Sequence, residues 1–326
     1  MRENETRITC YAQFPGESCM SPADASLAPD FLQEGANFWI DILNPRMKDT
    51  EWLGRVFGFH ALALSDVMNN ETRPKQETYD GMLFTVFSAV NLNPGEDILD
   101  TINLNLFLTP KFLVTTHCKP LKSVEQVIQV MEKTCDIRQT GPDFLYYQLL
   151  DGVIDRYFDV MDELEDEIDA LELDVMALED GVQGRIMQCK RRFAHLRRSM
   201  GPKREALRSL VYNPQPLISS VTQTHLRDVL DHVMLINDNL ESYRELLGAL
   251  MDTYLSQLSQ RMNEVMKLLS IIATIMLPLS FLTGLFGMNF VQMPLLHWRY
   301  GFWALMGFMG LLICGMIYLF RRNKML

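Results

Sequence analysis

Two apolar stretches near the end of the 326-residue chain dominate its pattern of hydrophobic and polar positions. They run from Leu268 to Phe286 and from Phe302 to Phe320, and neither contains a charged residue. A helix needs about 20 apolar residues to cross a hydrocarbon core of about 30 Å. The pattern therefore predicts two transmembrane helices, over 268–288 and 302–320, joined by a loop over 289–301. Because two helices cannot enclose a water-filled path, the pair is either an anchor or one of several copies around an axis.

Positive charges flank both apolar stretches and predict their orientation. Arg261 and Lys267 precede the first stretch, and a basic tail over 321–326 follows the second. Under the positive-inside rule both ends are cytoplasmic, so the loop over 289–301 lies outside. The first residues are polar and lack the apolar core of a signal peptide. We therefore expect a multi-pass protein of the cytoplasmic (inner) membrane, with everything before the first span in the cytoplasm.

Residues 1–140 mix strand and helix patterns. Segments rich in aromatic and β-branched residues predict strands, and apolar residues at helical spacing predict short helices between them. Such interleaving indicates an α/β domain. The triplet Thr109-Pro110-Lys111 predicts a tight turn between two strands of a hairpin. The predicted strands cover 6–14, 37–43, 82–91, 101–109 and 112–117, and the predicted helices cover 49–57, 62–68 and 123–134.

Residues 141–213 are helical in pattern and change sign of charge along their length. The acidic part, which includes Asp159, Glu165 and Asp174, carries one apolar face and is followed by a basic part from Lys190 to Arg208. Oppositely charged arms predict an antiparallel helical hairpin. Two interpretations of the acidic surface remain open: an ordinary solvated helix face, or a surface that concentrates divalent cations. The apolar face comprises Val160, Leu164, Ile168, Leu171 and Val175.

A third region, from Ile218 to Leu285, reads as one nearly uninterrupted helix that enters the membrane, with Pro278 as its internal exception. Its part over 214–267 forms a cytoplasmic stalk. One stripe recurs at steps of three and four residues, and it is rich in small and polar side chains. Such a stripe suits a narrow, partly wet passage around an oligomer axis. Close packing by small residues in lipid is the alternative, although it explains Asp252 and Asn263 poorly. The stripe comprises Asp252, Ser256, Ser259, Asn263, Met266, Ser270, Ala273, Leu277, Ser280 and Gly284.

Composition narrows the classes of function. The net charge of −11 argues against a nucleic-acid partner, which would require clustered basic residues, and is compatible with handling of cations. The six cysteines contain no CxxC pair, so free thiols are expected in a reducing cytosol. Residues 1–140 contain no phosphate-cradling glycine loop and no catalytic set around His60, His117 or Cys118. We therefore expect neither an organic cofactor nor an enzyme.

The region over 250–300 resembles the CorA family of divalent-cation channels. The resemblance is carried by Asn263-Glu-Val-Met-Lys267, by Ala273-Thr-Ile-Met-Leu-Pro-Leu-Ser280, and by Gly287-Met288-Asn289 at the outer end of the first span. The order of the regions along the whole chain is also similar. The resemblance implies an α/β cytoplasmic domain plus a long all-α stalk and two C-terminal transmembrane helices. It further implies a funnel-shaped homopentamer that imports hydrated Mg2+ and accepts Co2+ or Ni2+.

The family pattern assigns roles to individual residues. Gly287, Met288 and Asn289 would form the selective pore mouth, where oxygen atoms of Asn289 contact the water shell that Mg2+ sheds reluctantly. Met266 and Leu269 would form a hydrophobic gate. The complete set of pore-lining residues expected from the stripe and the resemblance is Asp252, Asn263, Met266, Leu269, Ala273, Leu277, Ser280 and Gly284.

The resemblance also implies regulation by Mg2+. Asp228 matches a position that binds Mg2+ between cytoplasmic domains, with Glu96, Asp97 and Asp100 as candidate partners. High internal Mg2+ would hold the subunits together and keep the pore shut, and loss of Mg2+ would free the stalks.

One departure from the family pattern bears on the choice of ion. The family loop commonly reads Met-Pro-Glu-Leu, whereas this chain has Met293-Pro294-Leu295-Leu296 and no acid anywhere in the loop. Loss of that ring of carboxylates predicts weaker attraction of cations from outside. A zinc or proton-coupled transporter of the same superfamily is therefore an open alternative. A membrane-anchored scaffold and a membrane-tethered enzyme are alternatives from other classes.

Overall fold

The structure is a computed structural model that describes residues 6–17, 20–69, 72–91, 100–133, 141–213, 215–288 and 298–323. The chain divides into two compact units. The first extends to Asp174 and continues over Gly181–Leu250, and the second comprises Val175–Asp180 and the chain from Met251 onward.

The first unit is built on a seven-stranded sheet of order β2-β1-β3-β7-β6-β5-β4. Among the described strands, β3 and β7 pair in parallel and all other neighbours pair antiparallel. The turn at Thr109 joins β6 to β7 as predicted, since Thr109 N donates to Phe112 O at 2.9 Å. The strands are β1 (Arg7–Gln13), β2 (Ser21–Ala23), β3 (Asn37–Leu43), β4 (Lys75–Tyr79), β5 (Met82–Asn91), β6 (Asp100–Leu108) and β7 (Phe112–His117).

All five predicted strands are confirmed, and the structure adds two at the edges of the sheet. The strand β4 reads Lys-Gln-Glu-Thr-Tyr and carries no run of apolar residues, whereas β2 has only three residues. Edge strands are often short or charged, because such sequences discourage pairing with other chains. Their hydrophobic pattern is consequently too weak to predict them.

Four short helices accompany the sheet. They are α1 (Ala28–Glu34), α2 (Met47–Phe57), α3 (Ala61–Met68) and α4 (Lys122–Lys133), of which α1 was not predicted. The helix α2 begins two residues before its predicted start, because Asp49 Oδ2 accepts a hydrogen bond from Arg46 N at 2.8 Å and caps the first turn. Aromatic rings fill the core on this side of the sheet, with Phe59 stacked on Phe107 at 4.3 Å between centroids.

The hairpin over 141–213 consists of α5 (Gly141–Ala177) and α6 (Val182–Tyr212). The apolar face predicted for α5, from Val160 to Val175, is fully buried. Ion pairs cross between the two helices, from Arg192 to Glu167 and from Arg185 to Asp174, which confirms the predicted pairing of the acidic and basic arms.

The long predicted helix is confirmed as α7 (Ser220–Phe286), and it includes Pro278 without interruption. Its 67 residues correspond to about 100 Å at 1.5 Å per residue. The last helix is α8 (Gly301–Arg322). Both helices contain a segment long and apolar enough to cross a membrane. The mean hydropathy of an 18-residue segment reaches 2.1 within α7 and 2.0 within α8.

Candidate functional site

The predicted pore-lining residues share one face of α7. From Asn263 onward, successive members of the set are three or four residues apart, which keeps them on one stripe of a helix. In the single chain every member is exposed, so none is used to pack the chain against itself. The hydroxyls of Ser270 and Thr274 donate to the carbonyls of Met266 and Ser270 in the preceding turn. Within the described residues, the Ser280 hydroxyl makes no side-chain hydrogen bond.

The C-terminal end of α7 is followed by Gly287, whose N donates to Thr283 O at 2.9 Å. A Cβ atom at position 287 would lie 2.9 Å from that same carbonyl oxygen, so glycine is required for this close approach. Met288 follows and is exposed. Asn289, the predicted selectivity residue, lies outside the described residues.

Asp228 lies on an exposed face of α7, beside a cluster of groups that could ligate a metal ion. The cluster is formed by Asp151 and Asp155 of α5 and His232 of α7, whose ligand atoms all lie within 4.8 Å of one another. Asp228 Oδ2 is 3.9 Å from His232 Nε2, which adds Asp228 to these three residues as the fourth member of the metal cluster. All four residues belong to the first unit, and each pair on a helix is separated by four positions, which places it on one face.

Two aromatic side chains border this cluster. Tyr147 OH donates to Asp151 Oδ2 at 3.2 Å, and the Phe158 ring contacts His232 edge-on at 5.6 Å between centroids. The Nδ1 atom of His232 is buried and has no hydrogen-bond partner among the described residues. Thus the imidazole has a nitrogen that its own chain leaves unsatisfied.

The carboxylates of the cluster repel one another. Burial raises the pKa of Asp151, and the neighbouring charge of Asp155 raises it further. Burial likewise raises the pKa of Asp155, although His232 opposes this. A bound cation would relieve the repulsion and compensate the desolvation, which is why such perturbed carboxyls are typical of metal and functional sites.

The donor set fits a divalent cation. Carboxylate oxygens suit Mg2+, which usually keeps several waters and takes one or two carboxylates from a protein. An imidazole nitrogen extends the fit toward first-row transition metals such as Co2+ and Ni2+. Of the cluster, sequence reasoning found only Asp228. The signal that it missed was the spacing of Asp151 and Asp155, which recurs in Asp228 and His232.

The predicted partners of Asp228 in the α/β region are not placed by the structure. Glu96 and Asp97 lie outside the described residues, and only the backbone of Asp100 is described, where it pairs with Asn91 at the end of β6.

Comparison with known proteins decides the family. A family model described as "CorA-like Mg2+ transporter protein" matches residues 34–322, which is most of the chain. This chain belongs to the CorA-like Mg2+ transporter family. The cobalt/magnesium transport protein CorA of Thermotoga maritima is 35% identical over 300 residues, covering 91% of this chain and 85% of that protein. A putative metal ion transporter of Bacillus subtilis, YfjQ, is 32% identical over 281 residues, covering 86% of this chain and 87% of that protein.

The fold of the family extends over the whole chain. The complete structure of the CorA magnesium transporter from Methanocaldococcus jannaschii matches with a TM-score of 0.84 and 26% identity, over 96% of this chain and 97% of that one. The expected architecture of an α/β domain, a long helical stalk and two apolar C-terminal helices is therefore confirmed. Membership in a family of transporters also agrees with the expectation that the chain is not an enzyme.

Proposed function

We propose that copies of this chain assemble into a channel that imports Mg2+ across the cytoplasmic membrane and accepts Co2+ and Ni2+. The observation that carries the proposal is the exposed stripe of α7, which places hydroxyl, amide and small side chains along a helix apolar enough to span a membrane. Polar groups are costly in hydrocarbon unless they face protein or water. A water-filled path at the centre of an oligomer satisfies that requirement.

Five copies are the number implied by the family resemblance. In that assembly, Asn289 and Gly287 stand at the mouth, and Ser280, Leu277 and Met266 line the path below. The division of the chain follows: the α/β domain over 1–140, the hairpin over 141–213 and the stalk over 214–267 lie in the cytoplasm, and the loop over 289–301 lies outside.

The channel is closed by divalent cations bound at the cluster of Asp151, Asp155, Asp228 and His232. Support comes from the perturbed carboxyls of this cluster and from its position on α7, the same helix that carries the pore stripe. A cation at the cluster favours one arrangement of α5 and α7, and its loss removes that preference. A ligand shifts such an equilibrium only through its different affinity for the two states.

The transport proposal is tested by ion uptake into proteoliposomes. Uptake of Mg2+, Co2+, Ni2+ and Zn2+ is compared with and without a proton gradient, at a fixed membrane potential. Voltage-driven Mg2+ influx that does not require protons is expected. Zn2+ uptake that depends on protons would instead favour the zinc or proton-coupled alternative. The absence of an acidic residue from the loop over 289–301 would then be the first candidate cause of the changed ion preference.

The selectivity assignment predicts a specific loss. Asn289→Ala removes the side-chain oxygen proposed to contact the hydrated ion, so Mg2+ uptake should fall to the background of empty liposomes. Asn213→Ala, an exposed position at the end of α6, is the matched control and should transport normally. Normal Mg2+ flux in Asn289→Ala, with the oligomer intact by size-exclusion chromatography, would exclude this residue as the selectivity determinant.

A further inference from the structure

One groove of the first unit is lined by positively charged side chains, opposite in sign to the carboxylates of the metal cluster. It is an open groove of about 710 Å³ between the segment before β4, the adjoining parts of β5 and β6, and one face of α6. Two arginines and a histidine line it, and among the described residues that line it there is no Asp or Glu. Its polar groups include Thr72, Arg73, Thr101, Asn103, His195 and Arg198.

The guanidinium groups of Arg73 and Arg198 differ from those of three arginines of α6. Arg185, Arg192 and Arg197 each form an ion pair with a carboxylate. Within the described residues, neither Arg73 nor Arg198 has a carboxylate within 4.0 Å, and both are exposed. In a chain with a net charge of −11, two unpaired arginines in one cavity without a lining acid form a local positive site.

Asp66 is hydrogen-bonded to a residue that lines the groove, but its negative charge is already balanced by an ion pair with Lys75. Thr72 Oγ1 donates to Asp66 Oδ1 at 3.3 Å, but Asp66 Oδ2 is bound by Lys75 Nζ at 2.7 Å. Asn103 Nδ2 donates to Thr72 O at 2.8 Å and thereby fixes the segment that carries Arg73. These contacts fix the wall of the groove without using either guanidinium group. Arg198 Nε donates to Ala194 O of its own helix at 3.1 Å, so its terminal nitrogens are the donors that face a ligand.

A third cation lies behind the wall of the groove. Lys203 is fully buried, and its Nζ donates to Ser199 O at 3.1 Å and sits 4.6 Å from the centroid of the Tyr157 ring. Tyr157 OH donates in turn to Ser88 O at 3.0 Å. Because Ser88 and Ser199 both line the groove, the Lys203 side chain lies directly behind its wall without opening onto it.

We propose that this groove binds the phosphate group of a small anionic ligand. Guanidinium groups match phosphate oxygens through paired N–H donors, and such charge-assisted bonds are the strong ones. The Thr101 hydroxyl of β6 and a ring nitrogen of His195, on the same helix as Arg198, add further donors. The volume lies within the range of small-molecule sites, so the phosphate group can be free or part of a larger molecule. Among the described residues that line the groove there is no Phe, Tyr or Trp, so recognition is directed at the phosphate group.

The test is calorimetric titration of the full-length chain in neutral detergent with inorganic phosphate, pyrophosphate and ATP. All titrations contain excess chelator, so that ATP cannot act by removing a cation from the metal cluster. Saturable binding of at least one probe is expected. Similar affinities for phosphate and ATP would identify free phosphate as the ligand class, whereas tighter binding of ATP would identify a nucleotide.

Three variants make the test specific to the groove. Arg73→Ala and Arg198→Ala should each weaken the affinity about tenfold or more, since each removes a charge-assisted bond. Arg191→Ala is the matched control, because Arg191 is an exposed residue of the same helix that does not line the groove. Its affinity should stay within about twofold of the unsubstituted chain. Absence of binding of every probe, or an equal loss in Arg191→Ala, would overturn the proposal.

Discussion

Buried polar side chains form a hydrogen-bonded network around Asp41. Thr115 Oγ1 donates to Asp41 Oδ1 at 2.5 Å, and His117 Nε2 lies 3.3 Å from Asp41 Oδ2. Trp39 Nε1 donates to Thr115 Oγ1 at 3.0 Å. Burial lowers the pKa of His117, but the charge and hydrogen bond of Asp41 oppose it and raise the pKa above its ordinary value. The network therefore holds β3 to β7 through a buried Asp41–His117 pair, in which the carboxylate favours the protonated imidazole.

Removing the acid from this network should be costly. Asp41→Asn leaves the His117 charge without its partner, and we expect a loss of about 3–5 kcal/mol of unfolding free energy. Thr115→Val removes two hydrogen bonds but no charge, and should cost about 2 kcal/mol at about 1 kcal/mol for each bond. Chemical unfolding of the full chain in detergent, followed by tryptophan fluorescence, measures both. Equal losses in the two variants would show that the charge pair is not the stabilising feature.

Lys203 is a buried cation without a carboxylate partner among the described residues. Burial lowers its pKa to about 7. The unfolded chain therefore binds more protons than the folded chain between pH 7 and the ordinary lysine pKa of about 10.5. The destabilisation is complete below pH 7 and is relieved as the pH rises through that window.

Replacing this lysine should stabilise the first unit. Lys203→Met keeps the length of the side chain and removes the buried charge, so we expect a gain of about 1–4 kcal/mol at pH 7. The difference in melting temperature between the variant and the unsubstituted chain should shrink as the pH is raised from 7 to about 10. A difference that is constant with pH would contradict the role of the ammonium.

At the scale of elements, some of the acidic side chains of α5 bond to the neighbouring helices α6 and α7. Glu167 and Asp174 pair with arginines of α6, and Glu165 accepts a hydrogen bond from Tyr243 OH of α7 at 2.8 Å. These acids orient helices against one another. Asp162 and Asp166 remain exposed, which is compatible with both interpretations of the acidic run.

The proposed pore stripe of α7 predicts that Mg2+ uptake requires a polar side chain at position 263. Asn263→Leu should lower Mg2+ uptake about tenfold or more, because it replaces an amide of the proposed path by an apolar side chain. Leucine has the higher helix propensity, so the helix itself should persist. Met262→Leu, on the neighbouring exposed face, is the control and should leave uptake unchanged. Equal uptake by both variants in proteoliposomes would remove Asn263 from the path.

At the scale of the whole molecule, the metal cluster predicts stabilisation by divalent cations. Mg2+ should protect the full chain from limited proteolysis, because a ligand that binds the folded state stabilises it. Asp151→Asn and Asp228→Ala should raise the protective Mg2+ concentration about tenfold or more. Asp166→Asn, on an exposed face of α5, should not change it. Protection that is the same in all four proteins would place regulation elsewhere.

Repetition along the chain made much of the architecture predictable. Steps of three and four residues identified α5 by its apolar face and α7 by its stripe of small and polar residues, and aromatic and β-branched runs identified the five inner strands. A repeated pattern is recognisable because its signal adds over many residues. The edge strand β4 and helix α1 lack such a pattern. They are formed because β5 offers a partner for β4 and the core accepts Phe31 of α1.

The sequence alone determined the membrane hairpin, the long helix, the family resemblance and one member of the metal cluster, because each depends on residues that are close along the chain. Only the tertiary structure decided which distant residues meet. It brought Asp151 and Asp155 to His232, Asp41 to His117, and Arg73 to the face of α6. Contacts between residues far apart in sequence depend on strand register and helix packing, which no local pattern specifies.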